Sequence, residues 1–360
     1  MKVKIIGAGS IGNHMAGASR ELGWDVTVYD VSGEALHRMR HEIYPSRYGA
    51  WDEAIRLSPD DVRGEFDVVV IGTPPEHHLP LALKALRDKP RAILIEKPLC
   101  PPTLEDADAV VAASRGGSTA CFVGYDHVVG KAARAATDLI LSGVIGDVLT
   151  IDVEFREHWA GIFHAHPWLR GPEDTYLGFS ARGGGASGEH SHALNLWQHF
   201  AHAAGAGRVQ EVGSMLKYLT EGHARYDQLC FLNLRAENGL CGRVVQDVVT
   251  RPPSKRARIQ GASGAIEWVS GYEPGVDAVL FGPADRVPEV LRFPKRRVDD
   301  FIEELTHVAD HLGERAPLSD IRLERGLDTA LVIAAAHAAE QQGARIRISY
   351  EKGYCAAALS

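Results

Sequence analysis

Short apolar runs alternate with stretches of helical periodicity through the first third of the chain. Runs with the length and composition of strands occupy residues 2–6, 25–30, 66–73, 92–95 and 120–125. Between the first two runs, apolar residues recur at the spacing of one helix face. The run 66–73 is almost continuously apolar, as expected of a strand buried on both faces. The pattern predicts an α/β Rossmann domain with a doubly wound parallel sheet over residues 1–124.

The pattern changes in the remainder of the chain. Longer, mostly alternating strands occupy residues 148–155, 212–219, 228–234, 243–249 and 257–260. Strands that follow one another without helices predict an open, mainly antiparallel sheet, so residues 125–360 are expected to form an α+β domain for substrate binding and oligomerisation. Helices near 128–142 and 190–204 would cover one face, and apolar alternation on the other face predicts burial in a homodimer or homotetramer. The alanine-rich helix Ser319–Gln341 is expected to pack back on the first domain.

A glycine-rich turn, Gly7-Ala8-Gly9-Ser10-Ile11-Gly12, lies between the first strand and the first helix. This β-α-β context distinguishes a dinucleotide-binding fingerprint from a chance glycine pattern. Gly7 is expected to make the tight turn, Gly9 to let the backbone approach a pyrophosphate, and Gly12 to let the helix pack on the sheet. The first amides of the helix, at Ser10 and Ile11, are expected to hold the phosphates.

Asp30 ends the second predicted strand. A carboxylate at this place can hold the adenosine ribose hydroxyls of a dinucleotide. Because it also repels a 2′-phosphate, NAD is favoured over NADP as the cofactor. Arg38 and Arg40 follow and would weaken this preference.

A charged pair and a proline, Glu96-Lys97-Pro98, follow the apolar run at 92–95. The carboxyl ends of the strands form the edge at which a doubly wound sheet binds its ligand. The sequence therefore places the Lys97 ammonium beside the ligand. An amine next to a bound nicotinamide suggests hydride transfer.

A second chemistry-bearing segment runs from Gly183 to Asn195, where three successive glycines precede an acid and two histidines. Glu189 and His192 are three residues apart and can share one helix face. An imidazole has an ordinary pKa of about 6.5, so His192 can accept a proton at neutral pH.

Histidine is concentrated in the same region, with seven of the 17 histidines between His158 and His202. His164 with His166, or His190 and His192 with Glu189, could in principle ligate a metal ion. Their spacing matches no common zinc pattern, and we predict no metal site. His164 and His166 are then generic polar residues or sugar contacts.

Composition and charge exclude some classes of partner and indicate the cellular compartment. The formal net charge of -8 offers no broad basic field for nucleic acid or an anionic membrane. No apolar run reaches the roughly 18 residues of a membrane span. The five cysteines are scattered and odd in number, which favours a reduced, cytoplasmic protein without disulfides.

Taken together, these segments resemble the Gfo/Idh/MocA family of NAD(P)-dependent sugar and polyol dehydrogenases. The resemblance covers nearly the whole chain. It is carried by residues 7–12, 73–78, 96–98, 124–125, 145–146 and 183–195 and by the alanine-rich last helix.

The resemblance implies an active site in a cleft between two domains. It implies that Lys97 hydrogen-bonds the reacting hydroxyl, that His192 is the acid/base, and that Pro98 can follow a cis peptide bond. It further implies that the cofactor is lined by Thr73, Pro74, His78 and Glu96. The stretch from Trp159 to Tyr176 is expected to shape the substrate pocket.

Two segments depart from the family pattern. The usual Gly-Tyr-Asn-x-Arg is here Gly124-Tyr125-Asp126-His127, which puts any substrate contact of that segment in doubt. The commoner Asp-x-x-x-His is here Glu189-x-Ser191-His192, so Glu189 is a catalytic candidate but the partner acid of His192 stays open. The expected substrate contacts are Tyr125, His158, Trp159 and Tyr176.

We predict an NAD-dependent oxidoreductase that interconverts a secondary alcohol and a ketone on a sugar, sugar derivative or cyclitol. His192 is assigned as the base and Lys97 as the polarising group, although Lys97 could itself be the base. An enzyme that recycles bound NAD for glycoside cleavage or epimerisation, with no net redox change, is the alternative. A non-catalytic NAD-binding regulatory protein is the second alternative.

Overall fold

A parallel six-stranded sheet forms the first part of the computed structural model, which describes residues 1–164, 166, 168–312 and 318–360. Its strands are β1 (Lys2–Ile6), β2 (Asp25–Tyr29), β3 (Arg56–Ser58), β4 (Val68–Ile71), β5 (Ala92–Glu96) and β6 (Ala120–Gly124). They lie in the order β3-β2-β1-β4-β5-β6. The order reverses between β1 and β4, where a doubly wound sheet opens a crevice for its ligand.

The helices of this part are α1 (Ser10–Glu21), α2 (Gly33–Arg38), α3 (Tyr44–Tyr48), α4 (His78–Arg87) and α5 (Ala107–Arg115). A π-helical turn, Met39–Ile43, joins α2 to α3. Leu104 and Asp106 have φ angles of 59° and 63°, outside the right-handed helical region, so α5 begins only after them.

A nine-stranded sheet dominates the remainder. Its strands are β7 (Val148–Arg156), β8 (Val209–Glu221), β9 (Ala224–Ala236), β10 (Cys241–Asp247), β11 (Ser254–Gly261), β12 (Gly264–Glu273), β13 (Val276–Pro283), β14 (Glu289–Pro294) and β15 (Ile346–Arg347). They lie in the order β14-β13-β12-β11-β7-β10-β9-β8-β15. Of the described pairs only β7–β10 is parallel. The predicted fold class is confirmed.

The helices of this part are α6 (Asp126–Val129), α7 (Lys131–Leu141), α8 (Trp159–His164), α9 (Gly185–Glu189), α10 (Ser191–Ala203), α11 (Arg297–Asp310) and α12 (Leu323–Gln342). Short 3-10 turns occur at Pro75–His77, Pro172–Asp174, Tyr176–Gly178, Ser180–Arg182, Tyr350–Lys352 and Ala356–Ala358. Trp197 of α10 is fully buried and donates to the Ile151 carbonyl of β7 at 2.8 Å, which docks this helix on the sheet. None of the described helices combines the length and apolarity needed to cross a membrane.

Helix α12 contacts both sheets. Ser214 of β8 donates to the Ala336 carbonyl at 2.7 Å. Near the other end of the helix, Gly326 lies so close to β6 that a Cβ there would be 2.3 Å from a methyl group of Val123. The last helix therefore links the two parts of the chain, while the division at residue 124 stays a prediction.

The face of the large sheet that points away from the helices is mainly charged. Ion pairs join neighbouring strands, with Arg243 3.1 Å from Asp152 and Arg256 2.7 Å from Glu154. The expectation of apolar alternation across this face is therefore wrong for most of it. One apolar strip remains, formed by the neighbouring outward residues Met215, Phe231 and Val245 of β8, β9 and β10.

Candidate active site

A cavity of about 910 Å³ opens at the carboxyl ends of the parallel strands. From the first part of the chain it is lined by Gly9, Ser10, Ile11, Thr73, Pro74, Glu96 and Lys97, among others. From the remainder it is lined by Phe155, Tyr176, Glu189, His192, Lys255 and the α11 residues Arg297, Phe301 and Glu304, among others. The cavity thus brings together Lys97, Glu189 and His192, the three residues that sequence analysis singled out as catalytic.

The glycine turn at the start of α1 has the shape of a phosphate cradle. Gly7 has a φ of +109°, and a Cβ there would lie 2.7 Å from the Gly72 carbonyl oxygen. A Cβ at Gly12 would lie 1.9 Å from the Gly7 carbonyl oxygen, whereas the space around Gly9 is open. Asn13 closes the turn by donating to the Gly9 carbonyl at 2.7 Å. The open position and the helix start at Ser10 fit the pyrophosphate of a dinucleotide.

Asp30 lies beside this turn. Its carboxylate accepts hydrogen bonds from the backbone N–H groups of Ala8 and Ser32, both at 2.8 Å. This anchoring places the negative charge where ribose hydroxyls are held in the Rossmann fold. The two nearby arginines are already paired, Arg38 with Glu34 at 2.8 Å and Arg40 with Glu53 at 3.0 Å.

Thr73 and Pro74 line the cavity, but His78 does not. His78 is fully buried behind the cavity wall, where its ring nitrogens lie 2.7 Å from the Thr73 carbonyl and 3.1 Å from the Pro98 carbonyl. Burial lowers its pKa to about 4, so the ring is neutral. His78 therefore joins the loops after β4 and β5 instead of facing the ligand, contrary to the role that the resemblance implied.

Lys97 extends from the end of β5 into the cavity, directly before a cis peptide bond to Pro98. Its ammonium donates to the Glu189 carbonyl at 2.9 Å and to the Glu189 carboxylate at 3.3 Å. Although burial acts in the opposite direction, Lys97 lowers the pKa of Glu189. Glu189 is therefore an anion that fixes the position of the lysine.

Glu96 and Glu304 form the acidic floor of the cavity. Glu96 is 5% exposed and Glu304 is 1% exposed. Burial, reinforced by Asp126, raises the pKa of Glu96 to about 8. Burial and the neighbouring Glu96 raise the pKa of Glu304 well above its usual value, and one of its carboxyl oxygens has no partner among the described residues. Glu96 is therefore mostly protonated at neutral pH in the free protein, and the surroundings of Glu304 favour its protonated form.

His192 faces a carboxylate and a second imidazole at the start of α10. Its Nδ1 lies 3.6 Å from Asp126, and its ring lies 4.4 Å from the ring of His127. His127 shares a 2.5 Å hydrogen bond with the same Asp126 oxygen. Burial, with His127 adding to it and Asp126 opposing it, lowers the pKa of His192 well below its usual value. A neutral His192 is thus available to accept a proton.

The pKa of Asp126 completes this arrangement. Burial would raise it, but His127, through its charge and its hydrogen bond, holds it well below its usual value. Asp126 is therefore ionised although its side chain is only 7% exposed. The structure identifies it as the acid that faces His192, the partner that sequence analysis left open.

The ligand atoms of Asp126, His127 and His192 lie within 4.8 Å of one another, a spacing that could hold a metal ion. Asp126 and His127 are already hydrogen bonded to each other, and Lys97 and Lys255 add positive charge beside His192. We therefore interpret the cluster as a proton-handling group. The absence of a metal stays a prediction.

The segment that carries Glu189 and His192 is anchored by a buried acid. Asp227 is fully buried and accepts from the Ser187 amide and the Ser180 hydroxyl, both at 2.7 Å. Gly185 has a φ of +80°, and a Cβ there would lie 2.0 Å from the Asp227 carboxylate. The glycine run thus allows a carboxylate to hold the backbone directly below the active site.

Only one of the four predicted substrate contacts lines the cavity, namely Tyr176. Tyr125 is 1% exposed and packs edge-on against the His192 ring at 5.6 Å. Trp159 packs in the core against Tyr226, and His158 lies 2.9 Å from Arg251, away from the cavity. Tyr125 and Trp159 are drawn inwards because large rings gain more from burial than from a place at the cavity wall.

Two site features were missed in the sequence. Asp126 and His127 follow β6 after one intervening residue, so their position after a parallel strand was an available signal. Arg47 reaches the start of α1 from α3, and no sequence pattern pointed to it.

Solved structures share this fold across nearly the whole chain. An oxidoreductase from Agrobacterium radiobacter in complex with NAD+, L-tartaric acid and magnesium has 19% identity and a TM-score of 0.76, covering 96% of this chain and 98% of that one. Levoglucosan dehydrogenase in complex with NADH and levoglucosan has 19% identity and a TM-score of 0.77, covering 97% and 99%. The WlbA dehydrogenase from Bordetella pertussis, in complex with NADH and UDP-GlcNAcA, has 19% identity and a TM-score of 0.71, covering 97% and 98%.

Family comparisons account for most of the sequence. No curated protein sequence matches the chain. Residues 1–125 match the oxidoreductase family with an NAD-binding Rossmann fold, and residues 133–267 match the Gfo/Idh/MocA C-terminal domain. With a phosphate cradle, a strand-end lysine and a facing histidine in one cavity, the chain belongs to the Gfo/Idh/MocA family of NAD-binding oxidoreductases.

Proposed function

We propose that the protein is an NAD-dependent dehydrogenase that interconverts a secondary alcohol and a ketone on a sugar, sugar derivative or cyclitol. The proposal rests on one observation: Lys97 and His192, which come from separate parts of the chain, line the same cavity, and this cavity begins at the glycine turn. At this position Lys97 can donate a hydrogen bond to the oxygen of a substrate hydroxyl group, and His192 can accept the proton of the same group.

The glycine turn and Lys97 have separate roles in the proposed reaction. Gly7, Gly9 and Gly12 shape the turn for the pyrophosphate, and NAD, when bound, supplies the hydride acceptor. Lys97, held by Glu189, donates a hydrogen bond to the reacting oxygen and stabilises the negative charge that develops on it.

The hydroxyl proton moves to His192. Its Nδ1 faces Asp126, which leaves Nε2 for the substrate. The Asp126 carboxylate stabilises the imidazolium that forms, so the pair acts as a dyad. In the direction of ketone reduction, the same imidazolium returns the proton.

The choice of NAD over NADP follows from charge. Asp30 repels a 2′-phosphate, and both Arg38 and Arg40 are committed to glutamates. These pairings weaken the attraction of both arginines for that phosphate.

The substrate class rests on the chemistry of the cavity. The Lys255–Glu157 pair, at 2.8 Å, offers an ammonium that donates hydrogen bonds to substrate hydroxyls and a carboxylate that accepts them. The fold relatives crystallised with levoglucosan and UDP-GlcNAcA support a carbohydrate ligand. We further propose a cytoplasmic enzyme, in keeping with its five unpaired cysteines, that assembles as a homodimer or homotetramer through the open sheet.

A screen of sugars and cyclitols with NAD and with NADP, followed by NADH or NADPH absorbance, tests the proposal. We expect NADH in amounts equal to the ketone formed, and weaker activity with NADP. Sugar product without NADH would instead identify an enzyme that recycles its cofactor. NAD binding without any turnover across the screen would favour a regulatory protein.

A further inference from the structure

We propose that Arg47 is a phosphate-binding residue that holds the pyrophosphate of the dinucleotide together with the glycine turn. The inference rests on the proposed function, since it takes a dinucleotide as the ligand. It adds a charged contact from a helix outside the fingerprint.

Arg47 reaches the start of α1 from the short helix α3. Its guanidinium donates to the Ser10 carbonyl and to the Ser10 hydroxyl, both at 2.8 Å, and it lines the cavity. These bonds use only part of its N–H groups. The remaining donors lie next to the first amides of α1, which is where a Rossmann fold binds phosphate.

Among the residues that the structure describes, the charge of Arg47 lacks a counter-ion. Within the described ranges no carboxylate forms an ion pair with it, whereas the other arginines nearby, Arg20, Arg38 and Arg40, each have one. Burial lowers the pKa of Arg47, and the positive charge of Arg297 acts in the same direction. A partly buried cation beside another cation is costly unless an anion joins them. A pyrophosphate at the helix start supplies that anion.

The neighbouring residue fixes Arg47 in place. The Tyr48 ring packs over Gly17 of α1, so closely that a Cβ at Gly17 would lie 2.5 Å from it. The Tyr48 hydroxyl also lies 2.8 Å from the His14 ring nitrogen. Since α3 is docked on α1 in this way, the Arg47 side chain is held at the phosphate position before any ligand arrives.

A phosphate at this place could belong to the pyrophosphate or to the 2′-phosphate of NADP. Arg47 contacts Ser10, at the helix start, whereas Asp30 marks the ribose end of the site. The position therefore favours the pyrophosphate, which NAD and ADP share and adenosine lacks.

The experiment is calorimetric titration of wild type, Arg47→Met and Arg47→Gln with NAD, NADP, ADP and adenosine. Loss of charge-assisted hydrogen bonds is expected to weaken NAD and ADP binding by about tenfold or more in both variants. Adenosine binding should not change. Arg87→Met is the matched control, because Arg87 is an exposed arginine at the end of α4.

Thermal unfolding shows whether each variant is folded, and Arg47→Gln keeps a donor for Ser10 if the methionine variant does not fold. Equal NAD affinity in wild type and both folded variants would overturn the assignment of Arg47. Weakening confined to NADP would also overturn it, in favour of the 2′-phosphate. Wild-type protein that binds neither NAD nor NADP would overturn the proposed function instead.

Discussion

The Lys97 ammonium donates two hydrogen bonds to Glu189, one to its backbone carbonyl at 2.9 Å and one to its carboxylate at 3.3 Å. Lys97 belongs to the end of β5, and Glu189 belongs to the glycine-rich segment before α10. The contact therefore joins the cofactor-binding sheet to the segment that carries His192. It sets the position of both candidate catalytic groups.

Replacement of Lys97 by methionine is expected to lower kcat by about 100-fold to 1,000-fold, because the developing negative charge loses its donor. Glu189→Gln should have a smaller effect, since the Glu189 carbonyl still holds the ammonium. Turnover is measured as NADH formation with a substrate found in the screen. Lys84→Met is the control, because Lys84 is an exposed lysine on α4. Near-normal kcat in Lys97→Met would remove the lysine from the mechanism.

The fold was largely predictable because its signals are local. The glycine turn, the buried runs at β4 and β5 and the alternating strands after residue 148 each follow from consecutive residues. Strands β12, β13 and β14, at one end of the large sheet, were not predicted. Strand β14 is mostly exposed, so it lacks the apolar alternation that identifies a strand.

The site was only partly predictable because its contacts are not local. Asp126 and His192 meet through the packing of α6 beside α10, and nothing near either residue shows which charge it will face. Tyr125 and Trp159 illustrate the opposite error. Both have side chains of a type that can contact sugars, but in the structure both are buried in the core.

Replacement of Asp126 by asparagine tests the proton-handling dyad. The carboxylate raises the pKa of His192 against burial, so its loss should lower that pKa further. We expect kcat to fall by about tenfold to 100-fold, because a weaker base accepts the hydroxyl proton less readily. The acid limb of the kcat/KM profile should move to lower pH, since His192 then stays neutral in more acidic solution.

The pH profile of kcat/KM also depends on the other titratable and charged groups that face this cluster. They are His127, Lys97, Lys255, Arg297, Glu96 and Glu304. Histidine NMR signals of the free protein report the His192 titration separately. Asp138→Asn, on the exposed side of α7, is the charge control. An acid limb that moves to higher pH would contradict the dyad.

The open sheet provides the predicted oligomer interface. Met215 is 68% exposed in the single chain and neighbours Phe231 in an apolar strip between ion pairs. We expect the double variant Met215→Glu, Phe231→Lys to reduce the mass measured by light scattering to that of one chain. Val287→Glu, at a 91% exposed position outside the strip, should leave the assembly unchanged. A monomeric wild-type protein would exclude this interface.

The raised pKa of Glu96 predicts that the free energy of unfolding depends on pH. Its pKa is raised from 4.5 to about 8 on folding, first by burial and then by Asp126. The folded chain therefore holds this proton more tightly than the unfolded chain, and the contribution to stability falls as pH rises between these two values. The fall is at most about 1.4 kcal/mol per pH unit. Glu96→Gln should flatten the curve of unfolding free energy, whereas Glu351→Gln on the surface should not.

The same carboxyl should couple proton binding to the cofactor. An oxidised nicotinamide beside Glu96 carries positive charge, which favours the ionised carboxylate. NAD+ binding near neutral pH should therefore release protons, seen by calorimetry as a binding enthalpy that changes with the ionisation enthalpy of the buffer. NADH has no charge on this ring and should release fewer. Because glutamine does not ionise, Glu96→Gln should reduce the difference between the two cofactors. If wild type and Glu96→Gln release equal numbers of protons with NAD+, Glu96 does not lie beside the nicotinamide.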